Sequence, residues 1–127
     1  MKKANFIGSL GATGMLSEYV RVQLEQGSCR EATEALLSYE RMLDEFKNRG
    51  GSLISDDIYF FDKVLTYTRL VNIARKQLDT TRASEYLSVA QKACSDARWT
   101  DCSERSLMDK TERIDRKVSI KCLSETG

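Results

Sequence analysis

The chain contains no proline and no histidine. Lacking proline, it lacks the strongest helix breaker, which suits helices joined by short turns. Lacking histidine, it has no imidazole general base, and every Ser–His or Cys–His arrangement for nucleophilic catalysis is excluded. No apolar run approaches the roughly 18–20 residues that span a bilayer. Charge of one sign is missing as well: 20 Lys and Arg face 19 Asp and Glu. The longest basic runs are pairs such as Arg75-Lys76 and Arg116-Lys117. Nucleic-acid binding needs a concentrated positive surface, and this pattern does not demand one. No Cys-x-x-Cys occurs, so a structural zinc site lacks its usual close cysteine pair. Gly8, Gly11 and Gly14 are not followed by Gly-Lys-Ser/Thr, which rules out a phosphate loop. Asp56, Asp57 and Glu85 remain for carboxylate chemistry, but isolated acids at helix starts serve as caps. The expectation is a non-enzymatic protein with no cofactor, no metal, no nucleic-acid partner and no small-molecule substrate.

What is present is helical periodicity, and no segment shows convincing strand alternation. A first helix is expected over about Leu16 to Gln26, with Leu16, Tyr19, Val20 and Leu24 on one side, stopped by Gly27. The run Ser28-Cys29-Arg30-Glu31 offers a capping box for a second helix. Its apolar stripe is Ala32, Ala35, Leu36, Tyr39, Met42, Leu43 and Phe46, spaced at 3.6 residues per turn. Arg49-Gly50-Gly51-Ser52 breaks the chain. Ser55, Asp56 and Asp57 offer caps for a third helix that presents Ile58, Phe61, Val64, Tyr67, Val71, Ala74 and Leu78. After Asp79-Thr80-Thr81 a fourth helix buries Ala83, Tyr86, Leu87, Ala90, Ala93, Cys94 and Ala97. A last helix from about Ser103 to Lys121 places Leu107, Thr111, Ile114, Val118 and Cys122 on one face. Residues 1–14 read as a poorly structured lead-in with the outline of a secretory signal (two lysines, then a glycine-diluted apolar stretch without a clear cleavage site). Residues 15–122 form a single helical domain, and 123–127 are expected to fray. The fold class is all-α: about five helices as stacked antiparallel hairpins or a small orthogonal or antiparallel bundle.

The hairpin from Val64 to Ala97 resembles a tetratricopeptide repeat, a helix-turn-helix unit of about 34 residues. Tyr67 and Leu70 stand where that family has an aromatic and a leucine, and Ala83, Leu87 and Ala90 match its small-large-small second helix. Small residues there let paired helices nest closely. A weaker copy spans Leu16 to Phe46, with Leu16, Tyr19, Gly27, Ala32 and Leu36 matching and Tyr39 departing. The resemblance implies protein–protein binding along the first helices of the repeats. It projects Leu65, Thr68, Asn72, Arg75 and Lys76 onto the binding surface, with Ser17, Arg21, Leu24 and Glu25 from the first copy. The partner implied is another protein or a peptide, bound by an adaptor or assembly factor that is monomeric or weakly dimeric. The alternative is a small helical inhibitor, such as an immunity or anti-defence protein that blocks one partner.

Cysteines at 29, 94, 102 and 122 allow three pairings. In one continuous helix Cys94 and Cys102 would lie about 12 Å apart, beyond bonding range. They bond only if the helix breaks near Trp99. The short loop favours Cys94–Cys102, which leaves Cys29 to pair with Cys122. Oxidised pairs imply an oxidising compartment. The run ACSDARWTDCS after a repeat-like helix resembles the ends of some bacterial envelope proteins, which implies the periplasm or cell envelope. Four reduced thiols on apolar helix faces, in a cytoplasmic protein, are the alternative.

Overall fold

Five helices occur among residues 16–49 and 55–122, the residues that the computed structural model of the protein describes. They are α1 Glu18–Gln26, α2 Cys29–Asn48, α3 Asp56–Lys76, α4 Thr80–Asp96 and α5 Glu104–Ile114. No strand occurs among the described residues, and the protein is all-α. The expected lead-in, the glycine break after Arg49 and the tail after Cys122 fall largely outside the described residues. No described helix is long and apolar enough to cross a membrane.

Local chemistry sets most of the helix ends. Ser17, Ser55 and Ser103 each accept a hydrogen bond from the amide three residues on (Val20, Ile58 and Ser106, all at 3.2 Å), satisfying a donor that the first turn leaves open. Asp79 does the same for Arg82 at 3.0 Å. Ser28 does not. Its side chain makes no cap bond, so the expected capping box with Glu31 is absent. The reason lies upstream: Gly27, at φ 85°, closes α1 and directs the Ser28 amide onto Gln23 O at 2.8 Å. With its amide spent on α1, Ser28 has no free N–H for the return bond from Glu31 that a capping box needs.

Two other helices end on residues with a β-carbon in the left-handed region, Leu78 at φ 61° and Arg98 at φ 62°. After each, the chain closes back on the helix: Asp79 N donates to Ala74 O at 2.9 Å, and Trp99 N to Cys94 O at 3.2 Å. Leu78 is 74% exposed, so its side chain offsets little of the strain. Leu78→Gly is therefore expected to stabilise the protein by about 0.5–1 kcal/mol, read as a higher urea midpoint with an unchanged m-value.

Helix α3 is the centre of the fold. From Asp62 to Ala74 only Lys63, Tyr67 and Asn72 escape full burial, as expected of a helix covered on all sides. It packs against α2, α4 and α5, and most extensively against α4. Ala83, Ala90 and Ala93 are the buried residues that let α4 approach this closely. Val20 and Leu24 of α1, Ala32 and Leu36 of α2, and Leu70 and Ile73 of α3 share one cluster with Cys29 and Cys122. Val64, Ala90, Ala93, Cys94 and Leu107 form another beneath α5. Tyr19, expected on the buried side of α1, is 54% exposed. The nine-residue α1 is too short to cover more than the two core positions Val20 and Leu24.

The last helix is shorter than its spacing predicts. It stops at Ile114, which is exposed rather than buried, and the chain doubles back. Asp115 is held by Arg69 through two bonds of 2.8 and 2.7 Å. Val118 and Ile120 then pack on the α1–α2–α3 cluster, and Lys121 N donates to Leu24 O at 3.0 Å. Cys122 meets Cys29 with a Cα–Cα separation of 5.7 Å. Cys94 and Cys102 are also 5.7 Å apart, across the break at Arg98. Both pairs stand at disulfide distance.

One buried group is poorly served. Asp62 is 1% exposed. Tyr39 donates its hydroxyl to Asp62 Oδ2 at 2.5 Å, but Oδ1 has no hydrogen-bond partner. Burial pushes the Asp62 carboxyl above its ordinary value, against the opposing effects of Tyr39 and Arg69. A raised native value means that folding favours the protonated acid: this contribution is complete below the unfolded carboxylate range and is lost as pH rises through the native value. Asp62→Asn removes the buried charge and keeps an acceptor for Tyr39. It is expected to gain roughly 1 kcal/mol near neutral pH, with the gain vanishing in acid. Urea midpoints measured across that pH range check it, and a pH-independent gain would refute the charge as its cause.

Candidate functional site

The fold assembles a cleft of about 930 Å³ where the end of α1, the second half of α3, α5 and the returning segment 115–122 meet. Although most of α3 is buried, its second half reaches this space and contributes the half-buried Asn72 and the exposed Arg75 and Lys76. From α1 comes Leu24; from α5 come Met108, Asp109, Glu112 and Arg113. Asp115, Arg116, Val118 and Ile120 form the remaining wall, closed at its base by Arg69. The lining thus combines an apolar group (Leu24, Met108, Val118 and Ile120) with charges of both signs.

Its charges differ in how firmly they are held. Arg69 is 7% exposed, and its two-pronged bond to Asp115 is the kind of geometry that fixes both partners. Arg75 reaches Glu104 at 2.5 Å, but both side chains are about half exposed, so this pair contributes little to stability. Lys76, Arg113 and Arg116 have no ion-pair partner among the described residues.

Of the residues projected as a binding surface, Asn72, Arg75 and Lys76 share this cleft, and Leu24 joins them. Leu65 and Thr68 do not. Both are buried, Thr68 completely; the Thr68 hydroxyl donates to Leu65 O at 3.0 Å and lies 2.6 Å from Thr111 Oγ1. Helix α5 covers the face of α3 on which the family projection placed them, so they are corrected from surface to core. Arg21 is exposed on α1, bonded to Glu18 at 2.6 Å, and does not line the cleft; Glu25 is exposed and Ser17 is spent as the α1 cap.

Sequence reasoning missed Met108, Arg113, Arg116, Val118 and Ile120. The signal was available: Val118, Ile120 and Cys122 alternate with polar residues at period two, whereas Val118 and Cys122 alone fit a helix.

A second polar cluster ties α2 to α3. Lys63 Nζ lies 3.4 Å from Glu40, 3.1 Å from Asp44 and 3.2 Å from the Tyr59 hydroxyl, which donates to Asp44 at 2.5 Å. Burial and the neighbouring Asp44 push the Glu40 carboxyl up. Burial also acts to raise Asp44, but its bonds with Tyr59, Glu40 and Lys63 outweigh it and hold that carboxyl down. Tyr67, half-buried and beside Glu40, is pushed up to about 12 by that burial and by the Glu40 charge. Two carboxyls displaced in opposite directions resemble an acid–base pair. Here Lys63 lies against both, and the cluster's bonds run between helices, so its role is to join α2 to α3. No group of three or more metal-binding side chains occurs among the described residues.

The chain matches no protein-family model, no curated protein and no solved structure.

Proposed function

We propose that this protein is a non-enzymatic interaction module that holds a segment of a protein partner in the cleft between α1, α3 and α5. The observation that carries the reading is the lining itself: an apolar floor of Leu24, Met108, Val118 and Ile120 bordered by charged side chains, several of them unpaired. A desolvated apolar centre inside a polar rim is how protein-binding surfaces gain affinity and specificity together. Asn72, Arg75 and Lys76, which the repeat-like hairpin offers from its first helix, are part of that rim.

The experiment is affinity capture from native cells with the wild-type chain and with Asn72→Ala/Lys76→Ala and Met108→Asp. Loss of the captured partner in both variants, with unchanged circular dichroism, supports the cleft; full recovery in both overturns it. A single stoichiometric partner would point to an inhibitor of one protein, and several partners to an adaptor.

We further propose that the protein works in an oxidising compartment such as the bacterial cell envelope. Two cysteine pairs at disulfide distance support this. Protein purified from its native compartment should show no titratable thiol before reduction and four after full reduction and unfolding, matching its four cysteines. A full thiol titre before reduction would exclude the reading.

A further inference from the structure

We propose that the segment taken by the cleft is acidic, with apolar side chains between its carboxylates, and that it lies along a basic edge made by Lys76, Arg113, Arg116, Lys117 and Lys121. This rests on the cleft being a protein-binding surface and adds the chemistry of what it binds. Arg69 is neutralised by Asp115, and Arg75 by Glu104. Among the described residues the remaining cations of the lining, Lys76, Arg113 and Arg116, have no carboxylate within ion-pair distance, and neither do Lys117 and Lys121, exposed on the segment that forms the wall. Opposing them in the lining are two unpaired acids, Asp109 and Glu112. The edge is therefore positively charged, although the chain as a whole carries a net charge of only +1.

The distribution arises from the fold. Arg113, Arg116 and Lys117 stand three and four residues apart, the spacing of one helix face; the stop at Ile114 and the return of the chain carry Lys121 back beside the end of α1. Val118 and Ile120 alternate with Lys117, Ser119 and Lys121, which places apolar contacts inside the wall and cations outside it. A partner matching this edge alternates carboxylates with aliphatic side chains. Nucleic acid fits less well: Asp109 and Glu112 repel a phosphate backbone, and the apolar floor offers no aromatic ring for bases to stack on.

The test uses short fluorescein-labelled peptides alternating glutamate with leucine, the same peptides with glutamine or lysine in place of glutamate, and an oligothymidylate of equal length. Anisotropy titrations against the intact oxidised chain should show binding of the glutamate peptide, weakened several-fold between low and physiological salt. Arg113→Glu/Arg116→Glu should lower that affinity about tenfold or more with an unchanged melting temperature, and Arg113→Gln/Arg116→Gln should lower it less. Arg30→Glu/Arg82→Glu, beside a second cleft at the α3–α4 turn, should leave it unchanged. Equal binding of the glutamine peptide, lost on Met108→Asp, would overturn the acidic chemistry and leave the cleft reading intact. Tighter binding of the oligothymidylate, equal loss in the Arg30/Arg82 variant, or no peptide binding at all would overturn the proposal.

Discussion

In the oxidised protein, replacing Cys29 and Cys122 together by alanine should cost about 4 kcal/mol, and replacing Cys94 and Cys102 together only about 2–3 kcal/mol. The difference follows from the chain each pair closes. Cys29 and Cys122 are 93 residues apart in sequence, and Cys94 and Cys102 only 8. A cross-link over the longer loop removes more conformational freedom from the unfolded chain. The longer link also holds the wall of the cleft. Besides Cys122, the returning segment is fixed by the Arg69–Asp115 pair, one backbone bond from Lys121 to Leu24, and the side chains of Val118 and Ile120. Losing the link should therefore both lower the melting temperature and raise hydrogen exchange across residues 116–122, while exchange in α4 stays close to that of the parent. Equal melting losses in the two double variants would refute loop length as the cause. Dithiothreitol should reproduce the loss in the parent and have no further effect on a variant lacking all four cysteines.

Asp115→Ala should destabilise the protein by about 3 kcal/mol, well beyond a surface ion pair. Arg69 is inside the molecule, 7% exposed, and both of its bonds to Asp115 are short. Removing the carboxylate leaves a buried guanidinium without its partner, and desolvation of that unmatched charge is the main cost. Arg69→Met/Asp115→Ala removes both charges and should recover more than half of the loss, because a methionine side chain fills the space without needing a counter-ion. A double-mutant cycle by urea denaturation measures the coupling. Losses that simply add would show that the pair is not coupled. The variant carries a functional expectation too: Asp115 ends α5 and starts the wall of the cleft, so Asp115→Ala should weaken partner capture, and the double variant should restore part of it.

How much of this was legible in sequence varies along the chain. The helices α1 to α4 were readable because each carries its own apolar stripe and its own punctuation: Gly27, Ser55 and Asp79 stop or start helices through bonds to residues within five positions. The break near Trp99 was readable for a different reason, since eight helical residues would separate Cys94 from Cys102 beyond bonding range. Leu65 and Thr68 were misplaced because an amphipathic reading assumes that one face of α3 meets solvent. In this protein α5 takes that face, and the threonine hydroxyl is satisfied by Leu65 O and accommodated beside Thr111. The candidate site was only partly visible. Asn72, Arg75 and Lys76 follow from a helical wheel, but Arg113 joins them only through the packing of α5 on α3, and Arg116, Val118 and Ile120 only through the return of the chain after Ile114.

By itself the sequence determined an all-α chain and the positions of its first four helices, and it favoured Cys94 beside Cys102, because those follow from residue periodicity, local capping and the reach of a short loop. The tertiary structure alone decided where the last helix ends, that α3 lies at the centre, and that a cleft with a basic edge exists. Each of these depends on groups far apart in sequence: Arg69 with Asp115, Lys121 with Leu24, Cys29 with Cys122. Interactions between distant residues override a local helical preference worth only tenths of a kcal/mol per residue, and local pattern carries no record of them.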